Sequence, residues 1–184
     1  ASELLGFSMA PWMWYIALYV VFLALNSLGS NISFKFSIVV SFISIAILVV
    51  FYVMVLASGK FNWDSLFNIP ADGSLGSSSF LPFGIIGILY AIPFGVWLFL
   101  GIEALPLAAE ESNNPTKDIP KAGVWARGTL IVTGLAVLFL NTGILGAEAT
   151  GAAGEPLLDG FRAIVGDGWA AVLGLFALIG LLAS

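Results

Sequence analysis

Residues 93–111 read PFGVWLFLGIEALPLAAEE, and the reading of this stretch decides the fold. It is apolar enough to lie in a bilayer. Yet it carries Pro93, Gly95, Gly101 and Pro106, with an acid, Glu103, in its middle. Proline removes a backbone donor, and glycine weakens a helix by roughly 1 kcal/mol relative to alanine. A carboxylate near mid-membrane costs about 2.5–3.5 kcal/mol on insertion scales. A helix that only filled space would need none of these. Broken backbone at membrane depth is tolerated where it lines a cavity, so the stretch is the candidate working site.

Composition agrees with a membrane setting. The chain has 184 residues, 60% of them hydrophobic and 9% charged, with a mean hydropathy of +1.06. Soluble domains carry about 25% charged residues. There is no Cys and no His. That excludes disulfides, thiolate nucleophiles, His-ligated metals and His acid–base chemistry. The net charge of −5 gives no electrostatic footprint for nucleic acid. The chain opens without Met and stops at Ser184 inside an apolar run, so it is expected to be a piece of a larger protein.

Outward from the central stretch, five spans are expected, over 11–28, 36–58, 83–108, 125–146 and 167–184, the last truncated. Trp12, Trp14, Tyr15 and Tyr19 gather at the start of the first, as an interfacial belt. Residues 1–10 are a connector containing Glu3, and Gly29-Ser30-Asn31 a tight turn. Residues 59–82 read as a surface loop in which Trp63 and Phe67 are candidates to dip into the interface. Residues 109–124 are a short charged connector with turn signals at Asn114-Pro115 and Ile119-Pro120. Within the acidic loop 147–166, EPLLDGFRAIV suits one amphipathic helix, with Glu155 near its start and Gly166 after its end. Lys35, Lys117, Lys121 and Arg127 fall on one side, Lys60 and Arg162 on the other. The basic excess puts the 109–124 loop in the cytoplasm.

Each candidate has a functional and a structural reading. Glu103 either changes protonation as the protein switches state, since burial raises a carboxyl pKa, or it is an acid permanently bonded at the break. Gly101 exposes carbonyls suited to an ammonium group or cation, or marks a kink alone. Trp97 stacks on a ligand or packs. Glu110 and Glu111 latch a cytoplasmic gate or border a rigid connector. Ser37, Ser41 and Ser44 share a helix face, for close packing or for an ion. Asn141 and Thr142 read as packing groups. No Ser/His/Asp set, HExxH or Walker loop occurs, so enzyme activity and cofactors are not expected.

The run FLGIEALPLAAEESNNPTKDIPKA resembles the sixth helix and following loop of the amino acid–polyamine–organocation (APC) superfamily. The shared pattern is Phe99, Gly101, Glu103, Glu110/Glu111, Asn114-Pro115 and Ile119-Pro120-Lys121-Ala122. The double acid looks most like the ethanolamine permease-like and amino acid permease branches. LNSLG at 25–29, before a Ser-rich span, looks like the turn between that family's helices four and five, so the resemblance covers helices four to eight. It implies an all-α polytopic membrane protein: a fragment of an inverted-repeat (5+5 helix) transporter with a discontinuous sixth helix. It implies that the carbonyls of Trp97 and Leu100, at the break by Gly101, receive a substrate amino group. The Trp97 ring covers the substrate, and Phe94, Ile102 and Ala104 shape the pocket. It implies that Glu103 couples the break to gating; Glu110 and Glu111 stay, from the loop's own residues, candidates for gating or coupling. Segment 155–165 looks like a lid helix. Some proton-coupled relatives carry a Lys midway along helix five; here that region is Ser41–Ser44. Coupling to H+ or Na+, or uncoupled exchange, all remain.

The expected function is therefore a secondary transporter (permease) in a bilayer, multi-pass in the plasma membrane. It moves amino acids or a small amine such as ethanolamine by alternating access. The alternative is a non-transporting membrane scaffold or partner subunit. The oligomeric state has no signature in the chain. The piece is expected not to fold alone, because the broken helix lacks its partner.

Overall fold

The computed structural model describes residues 10–27 and 30–183. The connector with Glu3, Leu28 and Gly29, and Ser184 lie outside them. So do the side chains of Trp14, Asn31, Glu103, Ala104 and Glu111. Of the expected Gly29-Ser30-Asn31 turn, Ser30 and Asn31 belong to the helix Ser30–Ser58, which starts before the expected span 36–58. Among the described residues the chain is all-α, with two 3-10 segments and no strand. Two helical stretches among the described residues are long and apolar enough to cross a membrane. Lys35–Ser58 has 24 residues and mean hydropathy 3.0; Pro115–Leu145 has 31 and 1.9. The chain divides into two compact units, 1–60 with 154–184, and 61–153.

In the first unit, α1 (Pro11–Ser27) packs on α2 (Ser30–Ser58), with the rings of Phe22 and Phe36 edge-on at 6.5 Å. On α2, Val40, Ile47, Phe51 and Val55 are buried. Steps of seven and four keep them on one face. Ser44 lies within this stripe, and its hydroxyl donates to the Val40 carbonyl at 2.9 Å. That bond satisfies the hydroxyl inside its own helix. Ser37 and Ser41 are exposed.

The stripe receives α6 (Pro156–Val165) and α7 (Asp167–Ala183), which pack on α2 and on each other. Helix α6 forms where the sequence bounds it, with Glu155 before Pro156 at its start. Gly166 follows its end with φ +77, a left-handed value that favours glycine. Its Leu158 and Phe161 are buried, and the Phe161 ring meets Phe51 edge-on at 5.1 Å. The Lys60 ammonium donates to the Ala163 carbonyl at 2.6 Å. A cation there complements the negative end of the helix. Arg162 pairs with Asp159 at 2.9 Å and reaches Asp167 at 3.6 Å. On α7, Ala170 and Gly174 are buried one turn apart, so small residues face the neighbours and allow close approach.

In the second unit, α3 (Gly84–Leu98) leads through a break to a 3-10 segment, Ile102–Glu111, and then to α4 (Pro115–Leu145) and α5 (Ala147–Ala152). Helix α4 starts well before the 125–146 span, taking in much of the stretch that reads as a connector. The reason is local. Pro115 occupies the first turn, where its missing N–H costs nothing. Asp118 accepts bonds from the Ser112 hydroxyl at 2.9 Å and the Asn114 N–H at 3.2 Å. A carboxylate in the first turn also suits the helix dipole.

The loop before α3 is not a free surface connector. Phe61, Trp63 and Phe139 form a ring cluster: Trp63 meets Phe61 and Phe139 edge-on at 5.2 and 5.5 Å, and Phe61 and Phe139 are tilted at 5.7 Å. The Asn62 N–H donates to the Gly143 carbonyl at 2.9 Å, and a Cβ added at Gly143 would run into the Phe61 ring. Trp63 thus packs on α4 rather than standing alone. Asn68 Oδ1 accepts the N–H groups of Ala147 at 2.8 Å and Glu148 at 3.3 Å. It caps α5 from 79 residues away. Asn68→Ala should therefore lower stability by about 1 kcal/mol, the usual worth of a cap. Thermal unfolding of the full-length protein checks this. Asn68→Asp keeps the acceptor and should lose less; an equal loss would show that the cap is not the cause.

Candidate functional site

The break lies at the end of α3. That helix has 15 residues, about 22 Å at 1.5 Å each, against a hydrocarbon core of about 30 Å. Inside it Pro93 lacks the N–H that would bond the Leu89 carbonyl. After Leu98 the backbone tightens. The Phe99 N–H donates to Val96 O, and the Leu100 N–H to Trp97 O, each at 3.1 Å. Gly101 then turns left-handed, with φ 94 and ψ −18, a conformation that non-glycine residues rarely adopt.

Beyond Gly101 the chain does not resume an α-helix. Ile102–Glu111 is a 3-10 segment of 10 residues containing Pro106. Such runs seldom exceed 3–4 residues, and within a longer helix they mark hinges or strain. The expected span 83–108 therefore consists of two unlike halves around Phe99–Gly101.

The 3-10 half packs along α4, antiparallel to it, and α3 meets α4 at its end, through Leu98. A Cβ added at Gly134 would touch Leu98 Cδ1 at 3.4 Å, and one at Gly123 would touch Leu105 Cδ1 at 3.7 Å. Eleven residues is three turns, so Gly123 and Gly134 share a face of α4. Around the Leu105–Gly123 contact opens a groove of ≈ 500 Å³. Phe99, Ile102, Leu105 and Pro106 line it from the broken segment, and Ile119, Pro120, Gly123 and Arg127 from α4. Its size suits a small molecule. Among the described lining residues Arg127 brings the one charge, one turn after Gly123 on the shared face.

The sequence-derived residues separate into three groups. Ile102 is half-buried and lines the groove with Phe99. Phe94, Trp97 and Leu100 are 75%, 73% and 67% exposed and do not line it; nor does Gly101, also exposed. Glu110 is exposed at the far end of the 3-10 segment. Glu103, Ala104 and Glu111 lie in the same segment by backbone. The Trp97 carbonyl already accepts the Leu100 N–H, and keeps a second lone pair for a ligand.

Sequence reasoning missed the α4 wall. Ile119-Pro120 reads as a turn signal, and Arg127 counts only toward orientation. The usable sign was Gly123 with Gly134, three turns apart on one face. The network of Ser112, Asn114 and Asp118 builds a helix start, which gives the connector a rigid structural role.

Comparison with known proteins places these features. The sequence model of the amino acid permease family matches residues 2–183. An uncharacterized transporter of Rhizobium meliloti (strain 1021) is 32% identical over 149 residues, which is 80% of this chain and 30% of that protein. The methylthioribose transporter of Bacillus subtilis (strain 168) is 27% identical over 159 residues, 86% of this chain and 31% of that one. The aromatic amino acid transport protein of Corynebacterium glutamicum is 27% identical over 132 residues, 68% and 28% respectively. The chain thus spans about a third of the length of these relatives. No solved structure is significantly similar to it.

Proposed function

Because the chain belongs to the amino acid permease family, within the APC superfamily, we propose that the protein is a secondary transporter of amino acids or small amines, working by alternating access. The observation that carries this reading is the broken helix: α3 ends at Leu98, Gly101 turns left-handed, and a 3-10 segment follows. A discontinuous membrane helix with carbonyls freed at its break is the arrangement that holds ammonium groups and cations in such transporters.

In this reading the carbonyls of Trp97 and Leu100 receive the substrate amino group. The Trp97 ring closes over it, and Phe94, Ile102 and Ala104 shape the apolar pocket beside Gly101. Glu103 couples the break to movement, and Glu110 and Glu111 act at the gate. The protein sits in the plasma membrane with the 109–124 stretch in the cytoplasm, as the basic residues favour. H+ coupling, Na+ coupling and exchange are alternatives for the driving force. Relatives named for methylthioribose and for aromatic amino acids support a small polar substrate with an apolar part.

The test is uptake by the full-length protein in proteoliposomes, with a panel of labelled amino acids, ethanolamine and other amines. Saturable, competable uptake of at least one is expected. Its absence across the panel, in correctly inserted protein, would sink the transporter reading and favour a scaffold. Varying the H+ and Na+ gradients in the same vesicles identifies the coupling.

A further inference from the structure

We infer that α6, the segment that resembles a lid, is fastened to α2, so that α2, α6 and α7 travel as one piece and the lid opens only when α2 moves. The inference rests on the transporter reading above and names a moving part within it. Three fastenings hold the C-terminal half of α6. The first is apolar. Phe161 on α6 and Phe51 on α2 are both fully buried, and their rings meet edge-on at 5.1 Å. Leu158, one turn earlier on the same face, is buried too. A lid that swung off α2 by itself would wet both rings, and exposing apolar surface to water opposes that motion.

The second fastening is polar. At the end of α2 the Ser58 hydroxyl donates to the Val55 carbonyl at 2.8 Å and accepts the Lys60 N–H at 3.2 Å. Gly59 between them is left-handed, with φ +63, and an added Cβ there meets nothing within 4 Å. The turn, not a shortage of space, therefore calls for glycine. From this turn the Lys60 ammonium reaches the Ala163 carbonyl at 2.6 Å. That carbonyl lies in the last turn of α6, where the helix offers it no donor of its own. The third fastening is the corner with α7. Gly166 is the one residue between the two helices. Its N–H donates to the Arg162 carbonyl at 3.0 Å, and its carbonyl accepts the Ala170 N–H at 3.1 Å. Arg162 spans the corner, bonded to Asp159 at 2.9 Å and reaching Asp167 at 3.6 Å. No loop is left there to act as a hinge. Because α7 also packs on α2, the three helices brace one another in a triangle.

The experiment joins α6 to the end of α2 and asks whether transport continues. Lys60→Cys is combined with Ala163→Cys in the full-length protein, with any other cysteine replaced by serine. A short bis-methanethiosulfonate bridges the pair, and a reductant releases it. Uptake of the panel compound that the wild type accumulates fastest is measured in proteoliposomes before bridging, after it and after release. The bridge should form readily and leave uptake within about twofold of the unbridged protein, the range of a surface change. A lid that hinges by itself would be locked, so uptake that stops on bridging and returns on release overturns the inference. So does a pair that the reagent cannot bridge.

If the double variant fails to insert, Leu158→Cys decides, since cysteine is itself a small hydrophobe. Its labelling by a membrane-impermeant maleimide should be slow, and equally slow with and without the transported compound. Labelling that quickens in either condition would show α6 lifting away and overturn the inference. The wild type separates the two levels. No uptake of any panel compound sinks the transporter reading, and the inference with it. Uptake that is normal until the bridge forms and then stops sinks the fastening alone.

Discussion

Gly101→Val is expected to cut uptake by the full-length protein by roughly ten- to a hundredfold, through the backbone alone. At φ 94 and ψ −18 the residue is left-handed, and a β-branched side chain there is strongly disfavoured. Strain of about 1–3 kcal/mol corresponds to roughly that factor in the population of the broken form. Packing is not the cause, since an added Cβ meets nothing within 4 Å. The valine chain relieves its strain by moving to negative φ. That redirects the 3-10 segment and with it the carbonyls of Trp97 and Leu100. Gly101→Asn enters the left-handed region with less strain and should keep more activity than Gly101→Ala. Initial rates, normalised to inserted protein, give the comparison. Wild-type rates for the valine variant would show that the left-handed break is dispensable.

Phe161→Ala should lower stability by about 3–5 kcal/mol, the largest loss expected from one side chain here. Phe161 and Phe51 are both 0% exposed, and their edge-on contact adds about 0.5–1.5 kcal/mol beyond burial. The location matters as well. Helix α6 falls in the segment between spans, so its unfolded reference is wet and the full transfer term applies. A ring exchanged between protein and lipid would lack that term, because acyl chains are as apolar as side chains. Phe161→Leu retains most of the apolar volume and should lose clearly less. Thermal unfolding of the full-length protein in one detergent decides. Equal losses for Leu and Ala would mean that the ring–ring geometry, not the buried volume, carries the site.

The parts legible in the sequence are those governed by neighbours in the chain. Pro156 and Gly166 bound α6 by their own backbone preferences, and the break at Gly101 follows from glycine and proline spaced through an apolar run. Asn114-Pro115 shows the limit of such signals. Proline after asparagine ends one segment and equally opens another, and only the bonds to Asp118 reveal the second use. The 3-10 form of Ile102–Glu111 was not legible, because it depends on Pro106 together with the neighbouring face of α4. Nor was the bond from Asn68 to the start of α5, 79 residues on. Arg127 was visible only as a charge. Its relation to the break required the register set by Gly123 and Gly134.

Those two glycines also determine how the broken helix can travel. Helices that interlock do so by seating ridges of side chains in grooves, and a shift of register must lift every ridge over its neighbour. Here Leu98 and Leu105 rest on positions of α4 that present no side chain. At those two points the contact is smooth. A small shift there meets no opposing side chain, which lowers the local obstacle to the small sliding typical of shear motion. Leucine at either glycine would restore a ridge and act as a brake.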